Sequence, residues 1–223
     1  PEGRAAVTRE SVWRAGARDL RDALRASREP SLRAAVFGKT PMAVAGGVGW
    51  VALNLNAQAL PFAGGAAATL GALQALRGAG TGVGPLAANH VIGRGARAHI
   101  VAHVAAIATF AGAIGIAMAD SAAAALASVF IWGAGGGSLW VITQTEIQQR
   151  GLPAMRGRLL SLDALGFTVG MSGGALVTGV VVDSGLDVGP LAIAVGSLAA
   201  VAWFWVRGRA VTRATGASPM PAS

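Results

Sequence analysis

Six long runs of small or aliphatic residues fill most of this chain, and each is long enough to cross a bilayer as a helix. They occupy residues 34–59, 66–89, 98–119, 122–147, 159–182 and 188–206. A bilayer core takes roughly 20 residues of α-helix. The runs are too long for strands and show no period-two alternation. Lipid offers no water to backbone N–H and C=O groups, so helices are the workable solution. The fold class expected is therefore all-α, with six transmembrane helices in one bundle. Composition agrees. Charged residues make up 13% of the chain, about half the roughly 25% of soluble domains. The 33 glycines, with many alanines, suit close helix packing in lipid.

The connections sort by charge. Arg94 and Arg97 follow the second run, Arg150, Arg156 and Arg158 the fourth, and Arg207, Arg209 and Arg213 the sixth. The other three connections hold Asp120, Asp183 and Asp187 and neither Lys nor Arg. With six crossings, the Arg-rich connections and both termini share one side, cytoplasmic by the positive-inside rule. Residues 1–33 read as a cytoplasmic linker with an amphipathic helix ended by Pro30. It is either a solvated linker or a basic face on anionic headgroups. Residues 207–223 read as a cytoplasmic tail without fixed structure. The net charge of +8 is spread over short connections with no reading module, which argues against nucleic acid. Zero cysteines exclude disulfides and thiolate metal sites. The chain opens on Pro1 with no signal-peptide pattern, so it reads as a fragment lacking an N-terminal part. Its richness in Ala, Gly and Arg points to a GC-rich bacterial source, and hence to the bacterial cytoplasmic membrane.

Three stretches carry a family resemblance. They are Ile147-Gln148-Gln149-Arg150-Gly151-Leu152-Pro153 with Arg156-Gly157-Arg158, then Arg28-Glu29-Pro30-Ser31-Leu32-Arg33, and then Arg77-Gly78 with Gly84-Pro85-Leu86. In this order and spacing the chain resembles major facilitator superfamily exporters over about residues 15–207. The branch with enterobactin-type siderophore exporters and transmembrane secretion effectors is the most similar. The resemblance implies the C-terminal six of twelve helices, built as two inverted three-helix repeats. It also implies alternating access against a missing N-terminal half, and proton-coupled export of a small, partly apolar molecule without a cofactor. One departure stands out: Ala88 occupies the aspartate position of the superfamily loop motif, so a carboxylate–arginine latch is not expected there. Two other readings stay open, a non-transporting scaffold or receptor-like bundle and an intramembrane enzyme.

Arg77 is the sharpest candidate, because it lies near the middle of its run, where an ionised side chain is costly. Either it serves a substrate or coupling site in a central cavity, or it is a structural arginine bonded to carbonyls or a carboxylate. Gln74, three residues earlier, shares its face. Asn54 and Trp140 are further candidates for the cavity, with Asn56, Gln58, Trp50 and Trp132 weighed beside them. Glu146 and Asp163, with Arg156 and Arg158, form a candidate cytoplasmic gate or proton-coupling group; salt bridging among these residues or with Arg150 is the plainer reading. Lys39 is expected to snorkel to the surface. His99 and His103 have metal-site spacing but no third ligand, so no metal is expected. Gly170-Met171-Ser172-Gly173 echoes the serine motif of intramembrane rhomboid proteases, but all three histidines precede it, and a serine without a base is not activated. No catalytic residue is expected. The glycines at 166, 170 and 174, and those at 133–137, are expected to pack helices closely or to form a rocking interface.

Overall fold

In a computed structural model the backbone is described over residues 9–215 and side chains over 13–207. Among the described residues eight helices follow in order: α1 Arg9–Ala26, α2 Pro30–Phe37, α3 Lys39–Ala59, α4 Ala66–Gly93, α5 Ala98–Met118, α6 Ala122–Arg150, α7 Arg156–Asp183 and α8 Val188–Thr215. A short 3-10 turn, Pro153–Met155, joins α6 to α7. No strand occurs among the described residues. Among the described residues five helical segments are long and apolar enough to cross a membrane: Pro30–Ala59, Ala98–Met118, Ala122–Arg150, Pro153–Asp183 and Val188–Arg207. These segments make the chain an all-α protein of membrane type. The second expected run, α4, has ample length at 28 residues, about 42 Å. It falls short in apolarity, since Gln74, Arg77, Asn89 and His90 interrupt a glycine-rich sequence.

The helix ends differ from the apolar runs for local reasons. α1 stops at Ala26, before Pro30, and Pro30 begins α2, the first turn being where proline's missing N–H costs nothing. Glu29 caps α2, its carboxylate accepting from the Ser31 and Leu32 backbone N–H groups at 3.0 and 2.7 Å and from the Ser31 hydroxyl at 2.6 Å. Burial pushes the Glu29 carboxyl up, but these hydrogen bonds and the charge of Arg150 outweigh it and hold the group below its ordinary value. The cap is therefore intact near neutrality and is lost as pH falls through that lowered value. Gly38 lies between α2 and α3 with helical angles, so the two run on as one segment. α8 continues as helix to Thr215, past the expected end at Val206, so the first part of the expected unstructured tail is helical. Residues 216–223 lie outside the described residues.

Glycine decides how the helices meet. A Cβ on Gly133 of α6 would lie 2.1 Å from the Arg77 carbonyl oxygen of α4, and one on Gly137 would lie 2.4 Å from that of Thr81. From the other side, a Cβ on Gly80 or Gly84 would lie 2.4 or 2.1 Å from the Phe130 or Ala134 oxygen. Sequence numbers rise together along this seam, so α4 and α6 run parallel. α3 and α7 form a second parallel seam, with Gly170 against Thr40 and Gly174 against Val44, and added Cβ atoms at Gly47 and Gly174 would approach the Met171 and Val44 oxygens to 2.2 Å. α5 crosses α6 antiparallel, Gly112 meeting Trp132 and Gly135 meeting Ala105 and Thr109. The expected packing role is seen at Gly133, Gly135 and Gly137 of α6 and at Gly166, Gly170 and Gly174 of α7, whereas Gly136 faces open space; Gly47 and Gly112 carry no such expectation from the sequence.

The packing pattern repeats. α4 packs on α6 as α7 packs on α3, α5 packs on α6 as α8 packs on α3, and α5 also packs on α8. Exchanging α3, α4 and α5 for α6, α7 and α8 maps these pairs onto one another, but α5 also packs on α3 while α8 makes no comparable contact with α6, so the repeat is partial. Because α4 lies parallel and in register with α6, Arg77 stands level with Gly133, near the middle of a helix long and apolar enough to span a bilayer. Many large apolar side chains point outward, among them Leu86 and Val83 on α4, Val104 on α5, Leu176 and Val180 on α7 and Leu198 on α8. A surface of this kind calls for lipid or another apolar partner.

Candidate functional site: an arginine-lined cavity between the two parallel seams

Four helices contribute one face each to a cavity of about 140 Å³. α3 supplies Met42 and Gly46; α4 supplies Arg77 and Thr81. α6 supplies Trp132, Gly133, Gly136, Gly137 and Trp140; α7 supplies Phe167 and Met171. Thr109 of α5 completes the wall. These positions follow helical spacing: 77 and 81 on α4, 133, 136, 137 and 140 on α6, and 167 and 171 on α7. The glycines of α6 leave room that larger side chains would fill.

Among the described residues Arg77 is the one charged residue lining this cavity. Its Nε donates to Gln74 Oε1 at 3.3 Å. Its guanidinium carbon lies 5.0 Å from the Trp50 ring centroid and 4.9 Å from that of Trp132, within cation–π range. Arg77 makes no ion pair with any carboxylate among the described residues. Gln74 is thus brought to Arg77 as expected, and Trp140 lines the same cavity. Asn54 is not brought there: its amide donates to the Trp50 carbonyl of its own helix at 2.8 Å, and it does not line the cavity. Asn56 instead ties α3 to the end of α5, donating to the Ile116 carbonyl at 2.8 Å.

Below the cavity, toward the Arg-rich end of the bundle, lies a buried ion pair. Lys39 Nζ is 2.6 Å from Asp163 Oδ2, and both side chains are fully buried. Gln144 Nε2 donates to the same oxygen at 3.1 Å. Lys39 Nζ lies 3.9 Å from the centroid of the Trp140 ring, and Trp140 meets Phe167 edge-on with centroids 5.1 Å apart. Lys39 therefore does not snorkel, because Asp163 of α7 holds it inside. Asp163, Phe167 and Met171 stand four residues apart on one face of α7, and Lys39, Met42 and Gly46 share one face of α3. One continuous stripe thus joins the ion pair to the cavity.

The remaining gate candidates separate. Glu146 pairs with Arg207 of α8 at 2.6 Å, with the Arg207 guanidinium 4.9 Å from the Trp203 ring. Neither Glu146 nor Asp163 pairs with Arg150, Arg156 or Arg158. Arg158 reaches Asp19 and Asp22 of α1 at 3.0 and 3.7 Å, fastening the N-terminal helix to α7. Arg156 donates to the Gly151 carbonyl at 3.1 Å. The four residues expected to form one group make four separate contacts. His103 stacks on Phe204 with ring centroids 5.0 Å apart, and Ser172 is exposed on α7.

Lys39, Thr81, Thr109, Met42, Phe167 and Met171 had not been singled out for the site. Thr81 follows Arg77 by one helical turn, a readable signal. Phe167 and Met171 become readable only once α7 is known to lie along α3. No family model, curated protein or solved structure matches this chain.

Proposed function

We propose that this chain is one six-helix half of a bacterial secondary transporter of major facilitator type, a proton-coupled exporter of a small, partly apolar molecule. In this reading α4 is a sixth crossing, and the cavity around Arg77 lies on the substrate path. The observation that carries the proposal is an arginine without an ion-pair partner, level with the middle of a span and facing a cavity where two parallel helix pairs meet. A charge at that depth is retained where it faces water or a ligand and is costly where it faces lipid. The partial likeness in packing between α3–α5 and α6–α8 is in keeping with two inverted three-helix repeats, a plan in which sites lie near the midplane at the repeat interface. The buried Lys39–Asp163 pair beside Trp140 is the group best placed to exchange a proton. The charge pattern of the connections favours a cytoplasmic location for the Arg-rich end and both termini.

Membrane vesicles from cells producing the full-length protein test this reading, with uptake followed for a panel of small amphipathic compounds of each charge. At least one compound should move in a manner abolished by a protonophore. Arg77→Gln should leave membrane abundance and thermal stability near wild type and lower that flux by about tenfold or more, the scale of one lost charge-assisted interaction. Arg77→Lys should recover part of it, since lysine keeps the charge and loses the planar fork. Full flux in Arg77→Gln, or flux that persists without a gradient and requires ATP, would overturn the proposal. Unstable Arg77→Gln protein would assign the arginine to structure instead.

A further inference from the structure

We infer that the Arg77 cavity takes a monoanionic ligand with one anionic head and a flat, apolar, ring-sized body. The inference rests on the transporter reading only in calling that ligand a substrate. Arg77 uses Nε on Gln74, and its two terminal nitrogens make no hydrogen bond or ion pair among the described residues. Those nitrogens present a two-pronged donor set that matches a carboxylate, sulfonate or phosphate. The indoles of Trp50 and Trp132, 5.0 and 4.9 Å away, flank the guanidinium.

Among the described residues no second charged side chain lines the cavity. Lys39 is neutralised by Asp163 at 2.6 Å. The Thr81 hydroxyl donates to the Arg77 carbonyl at 3.0 Å, and the Thr109 hydroxyl to Ala105 at 2.8 Å. Neither hydroxyl proton is left for a ligand. One uncompensated cation suits one negative charge, since a second would be buried without a partner. The rest of the wall is Trp132, Trp140, Phe167, Met42 and Met171. Aromatic faces take flat rings in offset or edge geometry, and thioethers adapt to their outline. At about 140 Å³ the space is smaller than the roughly 300–1,000 Å³ of typical small-molecule sites. The space this chain encloses matches a single substituted ring in size.

The test uses the full chain in phosphatidylcholine nanodiscs and three probes of one shape: 4-nitrobenzoate, 4-nitrobenzyl alcohol and 4-nitrobenzylammonium. Binding is read by quenching of tryptophan emission and checked by equilibrium dialysis. The benzoate should bind at least tenfold more tightly than the alcohol, and the ammonium compound more weakly than either. Arg77→Gln should bring benzoate and alcohol to parity. Gly136 lines the cavity, and a Cβ added there meets nothing within 4 Å. Gly136→Leu should therefore keep the wild-type melting temperature while weakening benzoate and alcohol alike. Equal affinities for benzoate and alcohol in the wild type, or a benzoate preference that survives Arg77→Gln, would overturn the inference. Benzoate preference without gradient-driven flux in the vesicle assay would sink the transporter reading and leave the ligand class standing. Flux without that preference would do the reverse.

Discussion

Asp163→Ala is expected to destabilise the bundle by about 3–5 kcal/mol, the usual cost of stranding one member of a buried ion pair. Lys39 is fully buried, and its ammonium has Asp163 as its ion-pair partner. Removing the carboxylate leaves a cation among Trp140, Phe167 and lipid-facing helices. The paired substitution Lys39→Met with Asp163→Leu removes both charges at similar volume and should lie within about 1.5 kcal/mol of wild type, the range of volume-conserving swaps. Thermal unfolding of purified wild type, both single variants and the double in one detergent gives the coupling directly. A single-variant loss below about 1 kcal/mol, the value of an exposed pair, would mean that water reaches the pair. If the pair also exchanges a proton during transport, the stable double variant should bind ligand at Arg77 and fail to couple flux to the gradient.

The second large effect concerns the seam between α4 and α6. Gly133→Val should cost at least about 3 kcal/mol, at or beyond the top of the usual range for overpacking. Its Cβ would stand 2.1 Å from the Arg77 carbonyl oxygen. The obstacle is backbone, so no side-chain rotation relieves it; the two helices must part by about an ångström, which also shifts Arg77. Gly136→Val, three residues further along the same helix, meets open space and should be nearly silent in stability. Gly133→Ala and Gly84→Ala together should cost less than the sum of the two alone, because both push apart the same helix pair. Melting temperatures of these variants check the whole series. Equal losses at 133 and 136 would contradict the seam.

What could be read in advance divides by sequence distance. Six apolar runs announced the helices; charged residues continued α6 to Arg150 and α8 from Arg207 to Thr215, and α4 ran on through Val91 and Ile92 to Gly93. Gln74 and Arg77 could be placed together because one turn separates them. Lys39 was misplaced because its partner lies on a helix far along the chain, and nothing in the spacing of α3 announces Asp163. The same holds for Glu146, whose partner is Arg207 and not the nearer Arg150. Asn54 looked like a cavity residue by type, yet its amide turned back on its own helix. Packing glycines were legible as ladders, but which seam each served depended on the parallel pairing of α4 with α6 and α3 with α7.

The account turns on α4, which must cross the membrane for Arg77 to face a central cavity. Zero native cysteines make the chain suited to single-cysteine accessibility. Ala63→Cys and Arg94→Cys flank α4, with Asp120→Cys, Leu186→Cys and Leu152→Cys marking the other connections. A membrane-impermeant maleimide added to intact cells should label positions 63, 120 and 186. It should reach 94 and 152 only after permeabilisation. Labelling of 63 and 94 from the same side would contradict the account, because α4 would then not cross and Arg77 would not lie at the centre of a transport path.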